Sequence, residues 1–150
     1  MISSKDCLKK YGEPSDKSPW MVVWNVPAEL QVGNIPRKIY CNIDMIHPLS
    51  LAFRFLIDRE FVHELHTFDG CFNIRKKRGN NPSYSLHSWG VAIDFNAFDN
   101  PFNTTYQQAR AKGLVPFSEG FLQCFRDAGM DCGGDWKQPC DRMHFQIQKL

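Results

Sequence analysis

The chain has 150 residues, 43% hydrophobic and 23% charged, with 18 basic and 16 acidic side chains and a formal net charge of +2. A single domain of this size buries roughly 68–70% of the surface its unfolded form exposes, and the composition excludes disorder, collagen and coiled coil. So small a basic surplus gives no support to nucleic-acid binding by counterion release, and no run approaches the ~18 apolar residues of a membrane span.

In chain order, Pro14, Pro19, Pro27 and Pro36 with Gly12 and Gly33 exclude a long helix over residues 1–40. This stretch reads as a wrapping arm with one short strand at Met21 to Trp24, pinned to the core by Trp20 and Trp24. Residues 41–150 read as the core of the same domain. The charged start, Met1 to Lys10, lacks the apolar stretch of a secretory signal, so the expectation is synthesis in the cytoplasm without a signal peptide. Leu49, Ala52, Phe53, Leu56, Phe61, Val62 and Leu65 recur at three- and four-residue steps and predict an amphipathic helix from Leu49 to His66, preceded by Pro48. A weaker helix is expected from Thr104 to Lys112, ended by Gly113. A stronger one runs from Ser118, an N-cap, to Ala128, before Gly129.

Two segments, Val91 to Asn96 and Arg142 to Gln148, alternate with period two and predict strands. Val91, Ile93 and Phe95 face one way, and Met143, Phe145 and Ile147 do the same on the second strand. If both bury their apolar faces in one sheet, Asp94 and His144 share the polar face. The architecture expected is α+β: a small antiparallel sheet with the site on one face and helices on the other. Cys7, Cys41, Cys71, Cys124, Cys132 and Cys140 contain no C-x-x-C pair, and in a reducing compartment they read as reduced structural thiols.

The chemistry gathers around the two strands. His87 stands seven residues before Asp94, and Gly90 between them lets the chain turn so that His87 swings back toward Asp94 and His144. Two imidazoles and one carboxylate with an open fourth position are the ligand set of a catalytic zinc site. Solvated surface residues would satisfy the same spacing. Asp141, three residues before His144, adds a carboxylate able to reach a metal-activated water without ligating the metal.

Ser85-x-His87-x-x-x-x-Ala92-x-Asp94, followed by Asp141-x-x-His144, resembles the paired motifs of the D-Ala-D-Ala carboxypeptidase and L-alanyl-D-glutamate endopeptidase family of zinc peptidases. Asp69-Gly-Cys-Phe-Asn-Ile-Arg75, Gly133-Gly-Asp-Trp136 and Asp141-Arg-Met-His-Phe-Gln146 extend the resemblance to its phage and bacterial cell-wall members, over roughly residues 40 to 148. The resemblance implies a hedgehog/D-Ala-D-Ala metallopeptidase-like fold and a single zinc peptidase domain over 1–150. It implies His87, Asp94 and His144 as ligands of Zn2+, and Asp141 as general base where many relatives carry Glu. Arg75 would contact the scissile carbonyl oxygen, Ser85 would lie at the rim bonded to substrate or a ligand, and Trp136 would wall the cleft. Cys132 departs from the aromatic residue often found before the Gly-Gly pair.

Other patterns carry less. His63-Glu-Leu-His66 places its histidines three apart, where H-E-x-x-H needs four. His47 before Pro48 reads as a turn or capping residue, and Trp89 as packing. Lys76, Lys77 and Arg78 form a solvated run able to attract anionic polymer. The expectation is therefore a monomeric, phage endolysin-like peptidase acting on peptidoglycan stem peptides at the cell wall, cutting between L-Ala and D-Glu, without nucleic acid or membrane insertion. D-Ala-D-Ala carboxypeptidase activity is the enzyme alternative, with Arg142 and Lys137 as candidates to hold a terminal carboxylate. A zinc-bearing wall-binding module without turnover, on the precedent of the hedgehog signalling domain, is the non-enzymatic one.

Overall fold

The computed structural model describes residues 1–150. Helix α1, Ser4–Tyr11, opens with a capping box in which the Ser3 hydroxyl accepts Asp6 N–H and the Asp6 carboxylate accepts Ser3 N–H. The prolines of the arm exclude only a long helix: the first is Pro14, so the residues before Gly12 are free to make two turns. Strands β1, Met21–Asn25, and β2, Lys38–Asn42, form an antiparallel hairpin with Val23 opposite Tyr40. The arm is fastened by buried Cys7 and Tyr11, by Trp24 stacked beside Phe53, and by Trp89 Nε1–H donating to Gly12 O at 2.8 Å.

Helix α2 spans Ile46–Asp58, not Leu49 to His66. Its buried positions, Leu49, Ala52, Phe53 and Leu56, are the expected ones, with Pro48 inside the first turn, where no N–H partner is lost. The early end is a Schellman motif: Phe61 N–H donates to Leu56 O, Glu60 N–H donates to Ile57 O, and Glu60 takes the left-handed φ of 64°. That position is usually glycine, so nothing in the sequence marked it. Phe61, Val62 and Leu65 follow on a 3-10 turn at Val62–Glu64 and in the loop after it, with His63 and His66 exposed.

Next come β3, Phe68–Gly70, and β4, Ala92–Phe95, then α3, Tyr106–Ala111, and α4, Glu119–Asp127, and finally β5, Met130–Cys132, and β6, His144–Ile147. Ser118 is the N-cap of α4, and Gly113 and Gly129 follow the ends of α3 and α4 with positive φ, as the spacing predicts; α3 starts later than Thr104, with Thr105 as its N-cap. The four later strands make one antiparallel sheet in the order β3-β4-β6-β5. One face carries Phe95 and Phe145. Phe53 of α2 meets Phe95 at 6.1 Å between ring centroids, and Phe125 of α4 stacks on Phe145 at 4.0 Å. Each such ring contributes roughly 1.5–3 kcal/mol of burial. The fold is thus α+β, with two small antiparallel sheets and helices on the apolar face of the larger one. All six cysteines are free and buried, and burial pushes the Cys7, Cys41 and Cys132 thiols up to about 12, which leaves them unreactive. No helix is long and apolar enough to cross a membrane.

Candidate metal centre

Pairing of β4 with β6 sets Asp94 directly opposite His144, with Ile93 opposite Phe145. The period-two pattern therefore does place acid and imidazole on one face, although that face is not open: Ala92 and Gln146 beside them are buried. His87 arrives from a 3-10 turn, Leu86–Trp89, ended by Gly90 at φ 67°. A Cβ at Gly90 would lie 2.8 Å from the backbone N of Asn42, so both the left-handed turn and the close approach of β2 require glycine.

The three donors converge. One ligand atom from each of His87, Asp94 and His144 lies within 4.8 Å of the others. His87 Nε2 is 3.2 Å from Asp94 Oδ2, and His144 Nδ1 is 3.4 Å from Asp94 Oδ1. Each imidazole is held by its outer nitrogen: His87 Nδ1 lies 2.8 Å from Cys71 O, and His144 Nε2 lies 2.8 Å from Gln146 Oε1. Those acceptors favour a proton on the outer nitrogen and leave the inner one free to ligate. Despite the short approaches, His87 Nε2 and Asp94 Oδ1 are buried without an aligned hydrogen-bond partner. Buried donors left without partners, converging from two histidines and a carboxylate, fit a divalent cation such as zinc.

Burial works against charge on Asp94, but hydrogen bonds from His144 and His87 outweigh it and hold the carboxyl well below the usual range. On His144 burial again opposes charge, and Asp94 outweighs it, so the imidazole is raised. Asp141 goes the other way. Burial, reinforced by repulsion from Asp94, raises its carboxyl despite the nearby His144, Arg78 and His87. It sits with Oδ2 3.9 Å from His144 Nδ1 and with Oδ1 buried and unpaired. A carboxyl of raised proton affinity that keeps one oxygen free suits proton transfer.

Gly133 fixes where Asp141 stands. Asp141 N–H donates to Gly133 O at 2.8 Å, Asp141 O accepts His144 N–H at 3.1 Å, and a Cβ on Gly133 would fall 2.3 Å from that same carbonyl oxygen. Arg126 pins the loop from beneath, donating from Nε and Nη2 to the two oxygens of Asp135 at 2.8 and 2.7 Å. Trp136 lies over His144, with ring centroids 5.2 Å apart, where a cleft wall was expected.

Two expected positions differ. Ser85 is buried and its hydroxyl accepts His87 N–H, so it caps the ligand turn from behind and does not stand at the rim. Arg75 is held by its backbone to Ser88, while its guanidinium bonds only to Lys76 O at 3.4 Å and pairs with neither Asp94 nor Asp141. The arginine whose charge reaches Asp141 is Arg78, which stacks on Phe102 at 4.4 Å. Its loop has no periodicity from which this could be read. Gln146 was visible in the strand pattern as a neighbour of His144 on the same face, whereas the Cys71 carbonyl has no sequence signal at all. His47, His63 and His66 are exposed and take no part in the cluster.

Residues 78–147 match the family model described as D-alanyl-D-alanine carboxypeptidase. No curated protein and no solved structure matches the chain. The matched segment contains His87, Asp94, His144, Asp141 and Trp136; Arg75 lies just outside.

Proposed function

We propose that the chain is a zinc peptidase that hydrolyses peptidoglycan stem peptides, cutting between L-Ala and D-Glu in the manner of a phage endolysin and acting as a monomer. The observation that carries this reading is the convergence of His87, Asp94 and His144, each imidazole held from behind, beside a buried carboxyl at Asp141 whose Oδ1 has no hydrogen-bond partner. His87, Asp94 and His144 would hold the zinc, which when bound would supply a Lewis acid able to acidify water and polarise a carbonyl.

The remaining chemistry belongs to the chain. Asp141 accepts a proton from the attacking water and returns it to the departing amine, so the water oxygen bonds to the carbonyl carbon as the C–N bond breaks. Burial and the neighbouring Asp94 raise the proton affinity of its carboxyl, which favours its taking that proton. Cys71 O and Gln146 Oε1 hold the outer nitrogens of His87 and His144 and so aim His87 Nε2 and His144 Nδ1 at the centre. Trp136 shields one side of the centre from solvent. Positive charge for the developing oxyanion comes from Arg75 by motif position, with Arg78 as a second cation near Asp141.

The description of the matched family favours a second reading, D-Ala-D-Ala carboxypeptidase activity. A zinc-bearing wall-binding module without turnover is the third, and the uncommitted Asp141 weighs against it. Mass spectrometry of fragments from purified stem peptide separates all three. New N-terminal D-Glu supports the endopeptidase, released D-Ala supports the carboxypeptidase, and an intact peptide with zinc bound supports the binding module.

A further inference from the structure

A cavity of about 570 Å³ opens beside Trp136, lined among others by Tyr106, Ser118, Glu119, Cys140 and Arg142. We propose that this cavity is a carboxylate subsite, with Arg142 as its specificity-determining cation, and that it takes the free α-carboxylate of the residue on the leaving side of the scissile bond. The proposal rests on the peptidase reading above.

Arg142 is only 8% exposed, yet it forms no ion pair. Its Nη2 donates to Phe117 O, its guanidinium carbon lies 5.4 Å from the Tyr106 ring centroid, and its Nε is buried with no partner. A buried guanidinium keeping a free donor and no counter-ion is costly unless something supplies the missing acceptor. By contrast Arg59 and Arg126, both more exposed, are paired with carboxylates. The cavity borders the first turn of α4, whose N-terminal dipole also favours an anion. Its one acidic residue, Glu119, is drawn to the surface by Arg126. Gly134 leaves room at the floor, since a Cβ there would press on Arg142 Cγ at 3.3 Å.

Position links the cavity to the chemistry. Trp136 lines it and also lies over His144, while Cys140 and Arg142 flank Asp141 in sequence. A group bound there shares the Trp136 wall with the metal centre. In a stem peptide the D-Glu residue continues through its γ-carboxyl and so leaves its α-carboxylate free, and a terminal D-Ala ends in one. The same cation therefore serves either bond, and an amide in place of the carboxylate forfeits the charge-assisted contact.

The test uses the zinc-loaded full chain and calorimetric titration with two leaving-side fragments that cannot be cleaved, γ-D-glutamyl-L-lysine and its α-carboxamide. Wild type should bind the acid at least about tenfold more tightly than the amide, as expected for a charge-assisted hydrogen bond. Arg142→Met should bring that ratio to about one, and Arg142→Lys, which keeps charge but loses the planar fork, should leave an intermediate value. Equal binding of acid and amide by wild type overturns the proposal, whether or not the variants fold. An acid preference unchanged in either folded variant overturns it too. Acid preference lost in Arg142→Met, in a protein that cleaves no stem peptide, upholds the subsite and refutes the peptidase reading, so the two fail separately.

Discussion

Replacing Gly133 by alanine tests how tightly backbone packing places the base. The added Cβ would lie 2.3 Å from Asp141 O, whereas ordinary contact begins at 3.4 Å, so the backbone must retreat by about 1 Å. The retreat acts on the carbonyl that accepts His144 N–H, and therefore moves both the base and a metal donor. A displacement of that size costs about 10²-fold in rate, or about 2.7 kcal/mol of transition-state stabilisation. Overpacking also destabilises the fold by roughly 1–3 kcal/mol, so kcat/KM for stem-peptide hydrolysis is measured well below the Tm of the variant. Gly113→Ala, after α3 and away from the site, is the internal control. Its Cβ meets nothing within 4 Å and its positive φ of 79° costs stability alone, so kcat/KM should stay within about threefold. Equal activity of Gly133→Ala and Gly113→Ala, both folded and zinc-loaded, would refute the claim that Gly133 sets the base.

Asp141→Ala should retain one zinc per chain while kcat/KM falls about 10²–10⁴-fold, and undiminished hydrolysis would remove Asp141 from the proton path. Asp141→Asn should raise Tm at neutral pH, because a buried carboxyl with a raised pKa favours folding below its ordinary range and weakens it once ionised. Metal-free protein should be more stable at about pH 6 than at about pH 8. The raised His144 contributes stability that is complete below its unfolded value and lost as pH rises through its folded one, while Asp94, held low, stays ionised across that window. Added zinc should reverse the trend, since neutral imidazoles bind it better, and a metal-free Tm that climbs from pH 6 to pH 8 would contradict the sign. Asn96→Ala should cost at least about 3 kcal/mol in urea unfolding, because it strips the partner from His66 N–H, Thr67 N–H and Glu64 O together. A loss under 1 kcal/mol would show that water replaces them.

Much of the site was legible because it rests on local patterns. Period two put Asp94 and His144 on one face, and Gly90 announced the turn that returns His87. Capping chemistry located α4, and Gly113 marked the end of α3. What escaped depends on contacts between segments distant in sequence or on unmarked backbone conformations. The end of α2 hides behind Glu60 in a glycine-like conformation, and α1 behind a capping box that uses Asp6 where Glu is usual. Ser85 bonds the ligand residue His87, as its motif position implies, but from behind the turn and away from the rim, because a motif position does not say which way a hydroxyl points. Arg142 was one of two cations in a short loop, and only tertiary packing against Phe117 and Tyr106 shows that it is the buried, unpaired one. Lys137 stays exposed.

The central claim is that His87, Asp94 and His144 hold a zinc ion on which hydrolysis depends. Titrating metal-free chain with zinc while following cleavage of purified stem peptide tests it most directly. Activity should rise from the chelated baseline and break at one zinc per chain, and Asp94→Ala should show no rise at that ratio. Full hydrolysis in the presence of chelator, or an unchanged titration for Asp94→Ala, would contradict the account.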